Sequence, residues 1–139
     1  MPQTKKVGSA PTGVMRVVII DNNDIFLNTL KRYIGFYPNL EVVGTAANAE
    51  DGLRVAQEVN PDLAFVDLRM PQVSGLTLIA WLREQLPDLC VVAMSLYFES
   101  DFARAALQRG VKAFIAKDEI TSGLEPLLEK LRETGCFQN

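Results

Sequence analysis

The sequence predicts a single α/β domain in which helices cover both faces of a parallel β-sheet. The chain has 139 residues, 48% of them hydrophobic, which is enough for one core. Short β-branched segments alternate with segments of helical periodicity five times along the chain. Such alternation is typical of parallel strands joined by right-handed helical crossovers, so one globular unit of this class is expected.

Five short apolar segments are the predicted strands. They lie at residues 17–20, 42–43, 64–66, 91–94 and 113–116. Residues 1–13 mix Pro, Gly, Ser, Thr and Lys without periodicity and are predicted to be a disordered tail. The domain is therefore expected to span residues 14–134, and residues 135–139 to be a C-terminal tail or the start of a linker.

Apolar residues at helical spacing mark five helices that follow the strands. The marker residues are Phe26, Leu30, Tyr33 and Ile34; Leu53, Ala56 and Val59; Gly75, Ile79, Leu82 and Leu86; Phe102, Ala106 and Leu107; and Leu124, Leu127, Leu128 and Leu131. Asn48 is the predicted N-cap of the second helix, and Gly110 is predicted to end the fourth. Ser122 and Glu125 form a predicted capping box for the fifth helix, although Pro126 beside them could shift its start.

Composition excludes several classes of protein. A net charge of -3 without a basic cluster gives no support to nucleic-acid binding by this domain. No apolar run approaches the roughly 20 residues of a membrane span, and no secretion signal is recognisable, so a cytoplasmic protein without a membrane role is expected. The chain has no His, which excludes imidazole metal ligands and Ser-His triads. Cys90 is predicted to be a core residue and Cys136 an exposed thiol, with no disulfide or cysteine metal site.

Four predicted strands end in polar residues, namely Asp21, Asp67, Ser95 and Lys117. The carboxyl ends of parallel strands meet at one edge of the sheet, which is where such sheets bind ligands. Two neighbouring carboxylates repel each other unless a cation joins them, and hard oxygen ligands suit Mg²⁺. With a Lys and a hydroxyl nearby, the cluster predicts a phosphate site in which one carboxylate accepts a phosphoryl group.

These residues also carry a family resemblance. Asp21, the segment Asp67-Leu68-Arg69-Met70-Pro71 with Gly75, then Ser95, then Lys117 resemble the motifs of the receiver domain of two-component response regulators. The resemblance covers about residues 14–132. It implies a (βα)5 flavodoxin-like three-layer sandwich whose central five-stranded parallel sheet has the order 2-1-3-4-5. Asp118 after Lys117 is more typical of the receivers of NarL/LuxR-type regulators.

The resemblance implies specific roles at the predicted site. Asp67 would be the phosphoacceptor, taking its phosphoryl group from a sensor histidine kinase, a phosphotransfer protein or a small phosphodonor. Asp21, Asp67 and the backbone carbonyl of Arg69 would hold Mg²⁺. Lys117 would pair with the phosphoryl oxygens. Such a protein is a signalling phosphoacceptor that catalyses at most its own phosphorylation and dephosphorylation.

The resemblance also implies a switch. Ser95 would move toward the phosphorylated group, and Phe114 would turn inward into the space that Ser95 leaves, although the spacing of Phe114 alone fits an ordinary core ring. The responding surface would be the fourth helix, the fifth strand and the fifth helix. Some members of the family dimerise through this face, and the sequence leaves a homodimer open.

The sequence departs from the family pattern at two positions, Asn22 and Leu96, and alternatives stay open. Asn22 stands where receivers usually have a second acidic residue, so it is a doubtful Mg²⁺ ligand that would weaken metal binding. Leu96 replaces a small residue and could shield the phosphoryl group from water. The alternative is a receiver-like protein-binding module that works without phosphorylation. An aspartyl-nucleophile hydrolase is less compatible, because Arg69 occupies the place where those enzymes tend to have a second Asp.

Overall fold

A computed structural model describes residues 13–96 and 98–136. Its centre is a parallel sheet of five strands in the order β2-β1-β3-β4-β5, as predicted. The strands are β1 (Met15–Ile20), β2 (Leu40–Ala46), β3 (Leu63–Asp67), β4 (Cys90–Ser95) and β5 (Ala113–Ala116). The predicted disordered tail, apart from Gly13, lies outside the described residues.

Five helices connect and follow the strands. They are α1 (Asp24–Ile34), α2 (Ala49–Val59), α3 (Gly75–Gln85), α4 (Ser100–Gln108) and α5 (Ile120–Glu133). None of the helices in the described part of the chain combines the length and the apolar character that a membrane crossing requires. The alternation of strands and helices predicted from the sequence is therefore confirmed.

The sheet separates two hydrophobic cores, because successive side chains of a strand point to opposite faces. Val17 and Ile19 of β1 pack in the core that contains the buried residues of α1 and α5. Val18 and Ile20 pack in the second core, beneath α2, α3 and α4. Every residue of β3 and β4 is buried, as expected for strands covered on both faces. The two central strands thus form a rigid base for their carboxyl ends.

Side-chain caps fix the starts of the first three helices. Asn48 caps α2 as predicted, and its side chain accepts a hydrogen bond from the Asp51 N–H at 2.8 Å. Asn23 caps α1 and Ser74 caps α3 in the same way. Gly110 follows the end of α4 with φ of +95°, a left-handed conformation that glycine adopts readily, so its predicted role as a terminator is confirmed.

The predicted capping box of α5 is wrong. A short 3₁₀ turn at Lys117–Glu119 leads directly from β5 into α5, so helical winding has begun before Ser122 and Glu125 are reached. Pro126 lies inside the helix instead of at its first turn. Glu125 accepts a hydrogen bond from the Tyr37 hydroxyl at 3.0 Å and therefore does not serve as a cap.

The prediction that Cys136 is an exposed thiol outside any disulfide is also wrong. Cys136 is only 1% exposed and is joined to Cys90 at the start of β4 by a disulfide, with 5.9 Å between the two Cα atoms. Gly135 adopts φ of +87°, and the Cys136 N–H donates to the Leu131 carbonyl at 3.1 Å. This turn folds the chain back onto the sheet after α5, so part of the predicted C-terminal tail is packed against the domain.

Candidate functional site

The four predicted polar residues lie at the carboxyl edge of the sheet. Asp21 follows β1, Asp67 and Ser95 end β3 and β4, and Lys117 follows β5. Asp21, Asp67 and Ser95 are 0%, 3% and 1% exposed, so each is buried although each is polar. Buried polar groups need partners, and the two carboxylates find them in Lys117 and in nearby backbone N–H groups.

Lys117 links the two carboxylates. Its Nζ lies 2.6 Å from Oδ2 of Asp21 and 3.3 Å from Oδ2 of Asp67, and its side chain is only 9% exposed. The same ammonium lies 4.8 Å from the centre of the Phe26 ring, which offers it a favourable cation–π contact. One buried cation therefore serves two buried carboxylates, which leaves the cluster with a formal charge of -1.

Asp21 has one satisfied and one under-satisfied oxygen. Its Oδ1 accepts the Asn23 N–H at 2.8 Å, which ties the carboxylate to the residue that caps α1. Its Oδ2 is buried and forms the ion pair with Lys117, but that contact lacks hydrogen-bond alignment, and no other described residue donates to this oxygen. A buried carboxylate oxygen in this state retains capacity for a further cation.

Asp67 is held from two sides but is difficult to ionise. Its Oδ1 accepts the Arg69 N–H at 3.1 Å and its Oδ2 accepts from Lys117 Nζ at 3.3 Å. Burial, followed by the negative charge of Asp21, raises the pKa of Asp67 from 3.8 to about 6, and the positive charge of Lys117 together with the two hydrogen bonds lowers it only in part. Asp67 is thus a relatively basic carboxylate that is still mostly ionised at neutral pH.

The loop after Asp67 depends on a glycine at position 75. The Gly75 N–H donates to the Leu68 carbonyl at 3.0 Å, which closes the loop between β3 and α3. A Cβ at position 75 would overlap the carbonyl oxygen of Asp67 and lie 2.7 Å from the Leu68 Cα. Only glycine allows this approach of two backbone segments, and the approach fixes the path of the chain that leaves Asp67.

The donor set at this edge fits Mg²⁺. Its candidate ligands are the carboxylates of Asp21 and Asp67, the backbone carbonyl of Arg69 and the amide oxygen of Asn22, all of which are hard oxygen donors. Asn22 is exposed and lines a cleft of about 460 Å³ together with Asp67, Arg69 and Lys117. In the described part of the chain, no three acidic or Cys side chains gather into a metal cage, so a bound Mg²⁺ would keep several waters.

The two predicted switch residues lie in different surroundings. Ser95 is buried at the end of β4, in register with Ala116 beside Lys117, and thus belongs to the polar edge. The ring of Phe114 is half-buried and meets the ring of Phe98 edge-on at 5.6 Å between centroids. It lines a separate groove of about 610 Å³ between α4 and α5. The aromatic side chain is therefore outside the polar cluster in this conformation.

Sequence reasoning missed three contacts around the site. In the sequence, Phe26 was predicted only to be an apolar residue of the first helix. Its contact with the Lys117 ammonium is seen only in the tertiary structure. The Arg69 side chain forms a 2.9 Å ion pair with Glu99 and lies 4.3 Å above the ring of Phe102. These partners are 30 and 33 residues away, so no local spacing could have indicated them.

Known proteins resemble this chain in sequence and in fold. A family model described as the response regulator receiver domain matches residues 17–129, which is more than half of the chain. The transcriptional regulatory protein YhcZ of Bacillus subtilis (strain 168) is 35% identical over 75% of this chain and 49% of its own length. The nitrate/nitrite response regulator protein NarL of Escherichia coli (strain K12) is 32% identical over 73% of this chain and 47% of its own.

A solved structure agrees with these sequence relatives. The response regulator domain of Thermotoga maritima CheB is 26% identical, with a TM-score of 0.78 over 86% of this chain and 95% of that one. The chain spans about half the length of the curated relatives that it matches. The family match and these relatives, together with the acid-lysine cluster at the carboxyl edge of the sheet, identify the chain as a member of the response regulator receiver-domain family.

Proposed function

We propose that this chain is a phosphoacceptor switch that a sensor histidine kinase or a phosphotransfer protein phosphorylates on Asp67. The observation that carries the proposal is the position of the Lys117 ammonium, 2.6 Å from Asp21 and 3.3 Å from Asp67 at a buried sheet edge. Because this cation is present before any phosphate arrives, the site has a fixed positive group for the charge that phosphoryl transfer brings.

The chemistry requires Asp67 as an ionised nucleophile. A carboxylate oxygen of Asp67 attacks the phosphorus of a phosphohistidine, a P–O bond forms, the P–N bond breaks, and the bond electrons leave with the imidazole. A pKa of about 6 leaves roughly nine tenths of Asp67 ionised at pH 7 and makes the carboxylate more basic than an exposed one. Lys117 already contacts Asp67, so its ammonium lies within reach of a phosphoryl oxygen added to that carboxylate.

Mg²⁺ fits the proposal through the oxygen donors of this edge. Asp21, Asp67 and the Arg69 carbonyl would hold the ion, and Asn22 would add a neutral oxygen where a second acid is more usual. When bound, Mg²⁺ supplies positive charge to the transferring phosphoryl group. Oδ2 of Asp21 accepts no aligned hydrogen bond and is held by its ion pair with Lys117, so it retains a lone pair with which it could bind Mg²⁺ as well.

The proposed response passes through Ser95 and Phe114 to the surface formed by α4, β5 and α5. Phosphorylation adds charge and acceptor oxygens beside Ser95, which biases a two-state element. Helix α4 suits such a shift, since its buried residues are only Ala103 and Ala106 and no side chain caps its start at Glu99. An element with little buried apolar area can move at low free-energy cost.

The partners and location follow from this proposal. We infer a cytoplasmic protein whose switched surface controls an output, either another protein or a second copy of this chain. Two relatives carry names of transcriptional regulators, and this chain matches about half of each. A DNA-binding output in a longer protein is consistent with those names, while this domain carries no basic surface patch of its own by composition.

The direct test is intact-protein mass after incubation with acetyl phosphate and Mg²⁺. The wild-type chain should gain one phosphoryl group, and Asp67→Asn should gain none. Asp101→Asn is a matched control, because it removes a carboxylate whose side chain is 96% exposed and lies outside the site. A phosphoryl group on Asp67→Asn would refute the assignment of the acceptor.

The alternative, a binding module that works without phosphorylation, makes the opposite prediction. It expects no phosphoryl group on the wild-type chain at any Mg²⁺ concentration or with any histidine kinase as donor. The raised pKa of Asp67 and the shared Lys117 favour the switch, because a pure binding scaffold gains nothing from two buried carboxylates that repel each other.

A further inference from the structure

We propose that Cys90 and Cys136 form a reversible redox site that fastens the end of α5 to the start of β4. The site reacts with small-molecule disulfides of the glutathione type and is independent of the phosphoacceptor edge. We call it the C-terminal latch, meaning Thr134, Gly135, Cys136 and the disulfide of Cys136 with Cys90.

The geometry allows the bond to form and to open without moving the domain. The Cα atoms lie 5.9 Å apart, within the range of ordinary disulfides, and the two cysteines are 46 residues apart in the chain. Cys90 and Cys136 are 6% and 1% exposed and both lie in the core shared by α1 and α5. Two thiols would be tolerated there as small apolar groups, so the reduced domain keeps its fold.

The latch combines one mobile and one fixed cysteine. Cys136 follows α5 in a single turn with Gly135 at φ +87°, in which the Gly135 N–H donates to the Arg132 carbonyl at 3.3 Å and the Cys136 N–H to the Leu131 carbonyl at 3.1 Å. Cys90 begins an internal strand and its N–H donates to the Asp62 carbonyl at 3.2 Å. Opening one terminal turn exposes Cys136, whereas exposing Cys90 requires disruption of the sheet.

A hydroxyl group lies beside the mobile sulfur. Thr134 Oγ1 is 3.6 Å from Cys136 Sγ and 3.0 Å from the Leu131 carbonyl, so its proton can turn to either acceptor. A hydroxyl donor stabilises a thiolate, which is the reactive form of cysteine in disulfide exchange. We therefore expect Cys136 to react first, once its terminal turn has opened.

The exchange balances in two steps. The Cys136 thiolate attacks one sulfur of a glutathione-type disulfide, the S–S bond of that reagent breaks, and one thiol leaves. The Cys90 thiolate then attacks Cys136 Sγ, the mixed disulfide breaks, and a second thiol leaves. The protein loses two electrons and two protons, and the reagent disulfide gains them as two thiols.

The latch lies at the opposite end of β4 from the polar edge. Cys90 begins the strand and Ser95 ends it, a separation of about 17 Å at the usual rise of about 3.3 Å per residue. Closing the latch fixes the direction in which the chain leaves α5, and opening it frees that turn. The redox state thus acts on the end of α5 without contact with Asp67.

The test is a redox titration of the full chain in buffers of reduced and oxidised glutathione, with acid quenching, alkylation under denaturing conditions and intact-protein mass. We expect one transition between no alkylated cysteine and two. Hydrogen exchange at residues 131–136 should become about tenfold faster or more on reduction, while exchange in β1 stays unchanged. A cysteine state that never changes across the series, or equal protection in both states, would overturn the proposal.

Matched single variants test which cysteine is mobile. In Cys90→Ala the remaining Cys136 thiol should react with an alkylating reagent under native conditions about tenfold faster than the remaining Cys90 thiol of Cys136→Ser. Circular dichroism should show that both variants are folded. The reverse order of reactivity would contradict a latch that opens at its C-terminal turn.

Discussion

Replacement of Asp67 by Asn is expected to stabilise the fold at neutral pH. In the wild-type chain, burial and the charge of Asp21 raise the pKa of Asp67 to about 6. A carboxyl group whose pKa is raised by folding binds more protons in the folded state, so folding disfavours its ionised form. The destabilisation is small below about pH 4, grows as the pH rises between about 4 and 6, and is complete above about pH 7. Because Asn cannot ionise, the Asp67→Asn variant does not carry this destabilisation.

The magnitude follows from the two pKa values. The difference between 3.8 and about 6 corresponds to about 3 kcal/mol at about 1.4 kcal/mol per pKa unit. The raised pKa already includes the attraction of Lys117, and the cleft above Asp67 admits solvent that screens these charges, so the net gain at pH 7.5 is about 1–2 kcal/mol. The advantage of Asp67→Asn over the wild type should grow by about 1–2 kcal/mol between pH 4 and pH 7.5.

Urea unfolding of both chains across this pH range, in the presence of a chelator, measures the difference directly. Asp101→Asn controls for the loss of any carboxylate and should change stability by less than about 0.5 kcal/mol at every pH. Added Mg²⁺ should then narrow the gap at pH 7.5, because it binds and stabilises the folded wild type. A stability difference that is the same from pH 4 to pH 7.5 would refute the reasoning.

Four further perturbations probe other parts of the structure. Lys117→Met should block phosphorylation by acetyl phosphate. It should also lower the free energy of unfolding by about 3 kcal/mol at pH 7.5 and by less at pH 5, because two buried carboxylates lose their cation. Equal losses of stability at both pH values would contradict this. Gly75→Ala should destabilise the fold by about 3 kcal/mol or more in urea unfolding, because the new Cβ meets backbone atoms. In the control Gly123→Ala, the new Cβ would lie 3.2 Å from the end of a flexible side chain, and the stability should change by less than about 1 kcal/mol. Leu96→Ala should speed loss of the phosphoryl group several-fold, because Leu96 lines the cleft and is 55% exposed there, and an unchanged rate of dephosphorylation would remove its shielding role. Reduction of the disulfide should lower the melting temperature by about 10 °C or more, because it frees a loop closed across 46 residues, and an unchanged melting temperature would show that the bond adds no stability.

The strands and the polar edge could be predicted because their signals are local. A buried parallel strand appears as an apolar run, and the first polar residue after the run marks its carboxyl end, as at Asp67 and Lys117. Once the strands are known to be parallel, their ends must meet. The topology and the residue types were therefore enough to place Lys117 near the two carboxylates, whereas its ion pairs with both of them are seen only in the structure.

The errors arose where a turn redirected the chain. At Ser122 the spacing resembled a capping box, but the 3₁₀ turn before Ile120 had already started the helix. At Cys136 a short polar segment resembled a tail, and the left-handed Gly135 instead carried it back to the sheet. Disulfide pairing joins residues that are distant in sequence, and spacing contains no information about it.

The close approach at Gly75 limits how this chain can change by mutation. The atoms that a side chain would meet belong to the backbone of Asp67 and Leu68, so no rotation of a neighbouring side chain can make room. A residue other than glycine is accommodated only by a different loop path, and that path would displace the carboxylate of Asp67. Across descendants of this sequence, loss of glycine at position 75 should therefore accompany loss of the phosphoacceptor geometry, even where the surrounding sheet persists.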